Sequence, residues 1–332
     1  MNKKDLVRNL LVIDYNSSTD WYSRFRSVAT ADGGSIKVEQ AGWQHIAMVG
    51  NSSKGPLLLL RGNSDGLLQQ TKDRHFIPDF LLIRNFPSNL HGSTYRNVLL
   101  GLMFCNLPSV NSLSSIFFCS EKPIVYGALK GIQDRLGADQ FPLVPQMFYP
   151  NIQSCEDFDE VDDETIPGVY PTVVKIGTVH AGFGKMKLNN RSDFDDFRTC
   201  ASLHNEYYTA EPFLKNTIKD FRLQKIGYHF RLYSRESDSS WKNNWGAMKF
   251  KHIEEIPERY ISWMNEVSKI TPGLDMFALD VLVDKDGNES IIELNDSSMG
   301  LLFEKEDEDN NKIRDLVLSR MNQHWGLSNK CV

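Results

Sequence analysis

The sequence predicts an α/β (α+β) protein with two domains, and three observations support this. Short apolar strands alternate with helix-spaced segments in the first third, whereas strands dominate after about residue 170. A hairpin and a helix then close the chain. With 332 residues, of which 41% are hydrophobic and 24% charged, the chain is long and apolar enough for two domains. We expect a first domain over residues 1–108 and a second over residues 109–328.

The first domain is predicted from two strands and one helix. The runs LLVID at residues 10–14 and FLLIR at residues 80–84 are short and apolar, which is typical of buried strands. Residues 95–104, YRNVLLGLMF, have helical spacing. Together they indicate a small α/β domain that ends near Pro108.

The second domain opens with a predicted helix at residues 122–137. Pro123 suits a first helical turn, and Gly137 suits a helix end. Residues 151–168 are acidic and lack a period, which predicts a solvated surface loop. The later predicted elements are a strand in TVVKIG, a helix around residues 194–203, strands in YYTAEPFL, FRLQKIG and HFRLYSR, a helix in PERYISWMNEVSKI, and a last helix from about residue 310 to 325.

Charge and cysteine content exclude several classes of protein. A net charge of −6, from 37 basic and 43 acidic residues, argues against a general nucleic-acid binder. No apolar run reaches membrane-spanning length, and no secretory signal opens the sequence. The five cysteines are odd in number and form no C-x-x-C pair, so we expect idle thiols in a reducing compartment and no zinc site.

The stretch TVVKIGTVHAGFGKMKL, residues 172–188, places a lysine inside an apolar strand pattern. Lys175 would be costly to bury without an anion, which favours a functional role. A loop with two glycines and a second lysine, Lys185, follows it. Glycine-rich loops beside lysines favour phosphate, although the loop fits neither common phosphate-binding fingerprint. By itself the stretch is equally consistent with a mobile hairpin tip.

The segment DMFALDVLVDKDGNESIIELND, residues 275–296, predicts a β-hairpin. Asp286-Gly287 is a favoured two-residue turn. The register of that turn places Asp280 directly across from Glu293, with Asn295 on the same face. Opposed carboxylates whose Cβ atoms are about 5 Å apart repel each other in apolar surroundings.

A hard divalent cation would resolve this repulsion, since Mg²⁺ and Ca²⁺ prefer carboxylate and amide oxygens. Asp280 and Glu293 are therefore candidate metal ligands. The alternative is a surface-facing acidic pair held by salt bridges. Because Mg²⁺ often accompanies phosphate, five cations are candidates for phosphate contacts. They are Lys122, Lys175, Lys185, Arg231 and Arg235.

This set of residues resembles the ATP-grasp superfamily, and the chain is more closely similar to the nucleotide-binding domain of the synapsins. The resemblance runs through NLLVID, IKVEQA, DFLLIR, LPSVNSL, FPLVPQMFYPN, AEPF, LQKIG and SSM, in order and almost end to end. It implies an ATP-grasp fold preceded by a small Rossmann-like pre-ATP-grasp domain. It further implies ATP bound with Mg²⁺ or Ca²⁺.

The resemblance also implies residue roles. Phosphates would be bound by Lys122 and Lys175, with Arg231 and Arg235 at the outer phosphates. Residues 180–185, including His180, Gly182, Gly184 and Lys185, would form a lid that closes over the nucleotide. The backbone of Glu211, Pro212 and Phe213 would read the adenine edge. Asp280 and Glu293 would bind the metal, and Asn295 would complete the ATP site.

The sequence departs from the synapsin pattern at several positions. Arg231 stands where lysine is expected in synapsins. Asn295 stands where an apolar residue is expected in synapsins, and asparagine is the residue that ATP-grasp ligases have at this position. The acidic segment at residues 151–168 is longer than the pattern. The phosphorylatable N-terminal segment and the Pro-rich C-terminal regions of synapsins do not occur in these 332 residues.

Two functions follow from the resemblance. The first is an ATP-binding regulatory protein on the cytoplasmic face of synaptic vesicles in the presynaptic terminal. It would form dimers or tetramers, contact the vesicle membrane surface and the cytoskeleton, and regulate neurotransmitter release without being an enzyme. The second is an active carboxylate–amine ligase, favoured by Asn295 and by the run Lys242-Asn243-Asn244, which suits an acceptor site. That run is equally consistent with an aromatic-rich loop packed on the sheet.

Overall fold

The computed structural model describes residues 6–15, 19–62, 72–88, 94–157, 170–178, 183–203, 205–237, 248–302 and 304–327. Its first part holds seven strands and two α-helices among the described residues. These elements are β1 Val7–Ile13, α1 Trp21–Phe25, β2 Ser35–Ala41, β3 Ile46–Asn51, β4 Gly55–Leu60, β5 Arg74–Phe76, β6 Phe80–Ile83, α2 Arg96–Phe104 and β7 Ser109–Val110, with a 3₁₀ turn at Trp43–His45.

The first sheet is parallel and has the strand order β2-β1-β6-β7. The apolar runs at residues 10–14 and 80–84 form its central strands, and the helix predicted at residues 95–104 is α2, so these predictions are confirmed. A separate antiparallel sheet, β3-β4-β5, packs beside it. Arg84 follows β6, is buried, and donates to the carbonyls of Ser297 and Met299. The first part is thereby tied to a loop of the second.

The second part contains two antiparallel sheets and six helices among the described residues. The sheets have the orders β10-β9-β11-β8 and β14-β13-β12-β15-β16. Their elements are α3 Leu113–Cys119, α4 Lys122–Leu136, β8 Met147–Tyr149, α5 Ile152–Asp157, β9 Thr172–Ile176, β10 Lys185–Leu188, α6 Arg191–Ala201, β11 Tyr208–Pro212, β12 Thr217–Ile226, β13 His229–Ser237, β14 Met248–Ile253, α7 Glu258–Val267, β15 Met276–Asp284, β16 Glu289–Asn295 and α8 Glu306–His324.

Most predicted elements of the second part are present, with some differences at their ends. Helix α4 begins at Lys122 with Pro123 in its first turn, and it ends before Gly137, whose φ is 93°. Helix α8 begins earlier than predicted, and its first turn contains four acidic residues, which favour a helix N-terminus. The prediction of a loop throughout residues 151–168 is wrong at its start. Asn151 there accepts from the N–H of Ser154, and α5 follows. Residues 158–169 lie outside the described part.

Helix α8 joins the two parts of the chain in one apolar core. Its buried Ile313, Val317 and Met321 pack with residues of β1 and β6, and also with residues of β12 and β15. The Phe80 ring of β6 contacts Trp325, just beyond the helix, at 6.3 Å between centroids. The last helix is therefore part of the core and not an appendage.

No helix in the described ranges has the length and apolar character needed to cross a membrane. Of the five cysteines, Cys105, Cys119 and Cys200 have described side chains, and all three are free thiols. This agrees with the expectation of unpaired cysteines for these three positions.

Asn111 should be a stability determinant at the junction of the two parts. It is fully buried, donates to the carbonyl of Met276, and accepts from the N–H groups of Asp275 and Met276. We expect Asn111→Ala to lower the free energy of unfolding by about 3 kcal/mol, because it orphans buried backbone groups of β15. Denaturant unfolding measures this loss. The exposed Asn265→Ala should change stability by less than about 0.5 kcal/mol, and equal losses in both variants would contradict the assignment.

Candidate functional site

The late hairpin brings together the two acids predicted from the sequence. In the β15–β16 pair, Asp280 lies opposite Glu293, and Ala278 lies opposite Asn295. The Asn295 amide donates to Oδ2 of Asp280 at 3.3 Å, so the three side chains share one face of the sheet. The predicted register at the acids is confirmed.

The turn that sets this register differs from the prediction. The loop is three residues long, and the N–H of Asp284 donates to the carbonyl of Asn288 at 3.0 Å. The carboxylate of Asp284 accepts from the N–H groups of Asp286 and Asn288, which holds this longer turn. The register shifts again between Asp280 and Val281, where Ile292 is an extra residue on β16. The bulge cancels the extra turn residue, so the acids still face each other.

Both acids are neutralised by side chains of the protein. Nε and Nη2 of Arg222 bond the Asp280 carboxylate at 3.0 and 3.2 Å, and Nη1 of Arg235 lies 3.3 Å from it. Burial raises the pKa of Asp280, but the two guanidinium charges outweigh burial and hold that pKa below its ordinary value. Lys122 at 2.5 Å neutralises Glu293. Salt bridges therefore hold the acids, as in the alternative interpretation, but Asp280 is buried rather than facing the surface.

Glu293 lies in the field of several lysines. Burial raises the pKa of Glu293, whereas the charges of Lys122 and Lys175 lower it, and the net pKa is far below the ordinary value. The carboxylate is therefore ionised throughout the physiological range. A metal ion could bind this carboxylate only by taking the place of Lys122, because the surrounding lysines already compensate its charge.

Lys175 is buried and has an anionic partner within the protein. Its Nζ lies 2.8 Å from Oε2 of Glu211, which also accepts from the Gln146 amide at 2.7 Å. Burial lowers the pKa of Lys175, but Glu211 and Glu293 raise it more, so the lysine stays charged. Glu211, predicted only for its backbone, thus contributes its side chain to the site.

A cavity of about 450 Å³ lies between the two sheets of the second part. Val125, Leu129 and Leu143 form part of its apolar wall. The charged residues that line it are Lys122, Lys175, Arg222, Asp280, Glu293 and Asp296. Asn295 and Gln146 also line it. The cavity therefore offers an apolar wall beside cations suited to phosphate and oxygens suited to a metal, a combination that an adenine nucleotide requires.

The predicted lid is only partly described, because His180 and Gly182 lie outside the described residues. Gly184 has a φ of 58°, a left-handed conformation that favours glycine. Lys185 follows it on β10, directly across from Lys175 on β9. Burial, then the charge of Lys175, lowers the pKa of Lys185. Two opposed lysines repel each other, and an anion between them would relieve that repulsion.

The predicted hinge, Glu211-Pro212-Phe213, lies where the chain passes from the small sheet to the large one. The Phe213 N–H donates to the carbonyl of Pro171, and the Glu211 carbonyl accepts from the Thr172 hydroxyl, each at 2.9 Å. Pro212 has no N–H to offer. Recognition of the adenine edge by this backbone stays a prediction.

Arg231 and Arg235 do not line the cavity. Arg231 instead bonds Asp309 and Glu308 on α8, at 2.5 and 2.7 Å. Arg235 is buried against Asp220, with its Nε 2.8 Å from that carboxylate, and against Asp280. Arg231 therefore pairs with the first turn of α8, on the same face of the large sheet as Arg222 and Asp280. Its contact with an outer phosphate stays a prediction.

Sequence reasoning missed several polar residues of the cavity, including Arg222 and Gln146. Arg222 alternates with apolar Phe221 and Leu223 on β12, which signals a residue facing away from the core. Its partner Asp280 could not be identified from the sequence, because β12 and β15 pair over a long sequence separation. Gln146 carries no comparable sequence signal.

The donor set fits a hard divalent cation. Asp280, Glu293 and Asn295 supply two carboxylates and an amide oxygen, the ligands that Mg²⁺ and Ca²⁺ prefer. No cluster of three or more His, Cys, Asp or Glu side chains suited to a metal occurs in the part of the chain that the structure describes. Water or phosphate oxygens would therefore have to complete the coordination.

The Lys175–Glu211 pair should carry a large share of local stability. We expect Lys175→Met to lower the free energy of unfolding by about 3–5 kcal/mol, because it leaves a buried carboxylate unpaired. The double variant Lys175→Met/Glu211→Leu should recover most of the loss, since neither charge remains. Chemical denaturation measures both. Lys187→Met is the control: its ammonium lies 3.8 Å from the Phe213 ring centroid, and it should cost about 1 kcal/mol or less. A loss in Lys175→Met no larger than in this control would contradict a structural role for the pair.

Comparison with known proteins agrees with the two-part architecture. The family model described as "Synapsin pre-ATP-grasp domain" matches residues 3–109, and the one described as "Synapsin, ATP binding domain" matches residues 111–323. The chain is 35% identical over 323 residues to the Synapsin of Drosophila melanogaster, a match that spans 96% of this chain and 30% of that protein.

Solved ATP-grasp structures share the fold at low sequence identity. The VanG D-Ala:D-Ser ligase of Enterococcus faecalis aligns with a TM-score of 0.61 and 12% identity, over 94% of this chain and 99% of that one. The RimK domain protein of Sphaerobacter thermophilus aligns at 0.59 and 11%, over 94% and 98%. The ligase PsnB, in a structure containing Mg and ADP, aligns at 0.58 and 16%, over 94% and 98%.

At these identities the solved structures establish the fold, whereas the two family models together cover nearly the whole chain. The chain belongs to the synapsin family, with a pre-ATP-grasp domain followed by an ATP-binding domain of the ATP-grasp fold.

Proposed function

We propose that this chain is a regulatory ATP-binding protein that associates with synaptic vesicles and takes part in controlling neurotransmitter release. The observation that carries the proposal is the charged cavity, which Lys122 and Lys175 line together with the Asp280–Glu293 pair. Lys122, Lys175 and Lys185 would bind the phosphates. Vesicle association, contacts with the cytoskeleton, assembly into dimers or tetramers and a cytoplasmic location rest on family membership.

Membership supports these finer proposals only through the matched region. The chain spans 30% of the length of the Drosophila melanogaster relative, so the activities of that whole protein enter as proposals. ATP would act mainly as a structural ligand, because the cavity lies between two sheets. A nucleotide held by Lys122 of α4 and by Lys175 and Lys185 of the small sheet, with its metal on Asp280 and Glu293, would fix the small sheet against the large one.

Asp280 and Glu293 would hold the divalent ion, with Asn295 beside them. Mg²⁺ and Ca²⁺ both accept these oxygen ligands. Internal ion pairs satisfy both acids in the structure. Binding of a metal–nucleotide complex would then exchange internal partners for external ones of the same charge.

ATP affinity should depend on Glu293 and on a divalent ion. We expect Glu293→Gln to weaken ATP binding at least tenfold, about 1.4 kcal/mol, as measured by calorimetric titration in Mg²⁺ and in Ca²⁺. Asp286→Asn, at the exposed tip of the same hairpin, is the control and should bind as the wild type does. Unchanged affinity in Glu293→Gln, or full binding in EDTA, would rule out the metal site.

A ligase is the second candidate, and one observation favours it. Asn295 bonds Asp280 and lines the cavity, which completes the Asp, Glu and Asn set expected of an ATP-grasp ligase. The run Lys242-Asn243-Asn244, proposed for an acceptor site, lies outside the described residues. Acceptor binding is what separates the two functions, because catalysis needs a carboxylate positioned against the γ-phosphate.

Under the regulatory proposal, ADP release from ATP should be slow and independent of added acceptors. A coupled assay with mixtures of amino acids and small carboxylates measures this. An acceptor that raises ADP formation a hundredfold, with the effect lost in Lys242→Ala, would establish the ligase instead.

A further inference from the structure

Arg222 is an arginine of the large sheet whose side chain reaches the cavity. It lies on β12 directly across from Asp280 on β15, and its guanidinium bonds both oxygens of that carboxylate. Its side chain is 14% exposed, whereas that of Asp280 is 7% exposed. Arg222 and the acid proposed to ligate the metal therefore both line the cavity, and they are bonded to each other there.

The two neighbouring arginines have other tasks. Arg235 is anchored by the buried Asp220 as well as by Asp280, and it does not line the cavity. Arg231 bonds α8 through Asp309. Among the described contacts, the carboxylate partner of Arg222 is Asp280 alone. Arg222 is thus the arginine that lines the cavity, and to move, it has to break ion-pair contacts with only one described carboxylate, Asp280.

A guanidinium and a divalent ion compete for the same carboxylate. Arg222 uses both oxygens of Asp280, so an ion that binds there must displace at least one of its hydrogen bonds. Two cations on one carboxylate also repel each other at short range. A displaced guanidinium at the cavity wall would meet the phosphates of the nucleotide, which arginine binds well through paired N–H groups.

We propose that Arg222 is an exchangeable cation: it neutralises Asp280 in the metal-free protein and binds a nucleotide phosphate once a divalent ion occupies that carboxylate. This inference rests on the proposed function, and it assigns to Arg222 the phosphate contact that the sequence assigned to Arg231. It also makes metal and nucleotide binding mutually supportive. The metal compensates Asp280 once Arg222 has left it, and the nucleotide phosphate binds the guanidinium that the metal displaced.

The test uses two titrations whose expected changes have opposite signs. Arg222→Gln removes the competitor, so Ca²⁺ or Mg²⁺ alone should bind at least fivefold more tightly than to wild type. The same variant lacks the phosphate ligand, so ATP in saturating metal should bind at least tenfold more weakly. Arg135→Gln removes an equal charge from an exposed position outside the cavity lining, where the side chain is 56% exposed, and should alter neither affinity. Calorimetry gives both constants, and thermal unfolding reports whether each variant is folded.

If Arg222 only supported the fold, Arg222→Gln would lower both the metal affinity and the ATP affinity, and that result would overturn the proposal. Metal affinity that fails to rise in Arg222→Gln would overturn it equally. Arg222→Lys offers a second route if the glutamine variant does not fold. It keeps the competing charge but loses the paired N–H groups, so metal affinity should match wild type while ATP affinity falls, and any other pattern counts against exchange.

Failure of this inference is distinguishable from failure of the proposed function. A wild-type protein that binds no ATP in metal would overturn the proposed function, together with the phosphate role of Arg222. The metal-only titration contains no nucleotide, so it still decides whether Arg222 competes for Asp280. Wild-type ATP binding with unchanged binding in Arg222→Gln would overturn the phosphate role alone.

Discussion

Two carboxylates facing each other across a sheet, Asp280 and Glu293, are the constraint on which the site depends. Opposed acids in apolar surroundings are costly unless cations lie within bonding distance. The protein brings these cations from separate elements: Arg222 from β12, Arg235 from β13 and Lys122 from the start of α4. The helix and the two strands that supply these cations are therefore placed by charge as well as by apolar packing.

The same charges connect the two sheets across the cavity. Lys175 on the small sheet bonds Glu211 of its own sheet, yet Glu293 of the large sheet also raises its pKa. Lys185, opposite Lys175, has its pKa lowered by burial and by that neighbour. The small sheet thus presents an excess of positive charge to the acids of the large one. Such an arrangement suits a ligand that carries both charges, with an anionic group for the lysines and a bound metal ion for the acids.

The sequence predicted about half of the described strands, most of the described helices and the pairing of the two acids, because each of these depends on local pattern. In the hairpin, the predicted pairing of the acids is correct although the predicted turn is not. Its turn is one residue longer than predicted, and only the bulge at Ile292 restores the register at Asp280. The side-chain partners of Arg231 and Arg222 depend on which strands and helices lie beside β12 and β13. Contacts such as Arg231 with Asp309 join residues far apart in sequence, and no local period reports them.

Internal ion pairs also determine how tightly this site can bind. A cavity lined by unpaired buried charges would be costly to keep, so the ligand-free protein satisfies Asp280 with Arg222 and Glu293 with Lys122. A ligand must displace these pairs, and its affinity is the difference between the new contacts and the old ones. A bare metal or a bare phosphate would break internal pairs and leave one partner uncompensated. A metal–nucleotide complex supplies both charges at once, so charge pairing alone gives this cavity a preference for the complex over either of its parts.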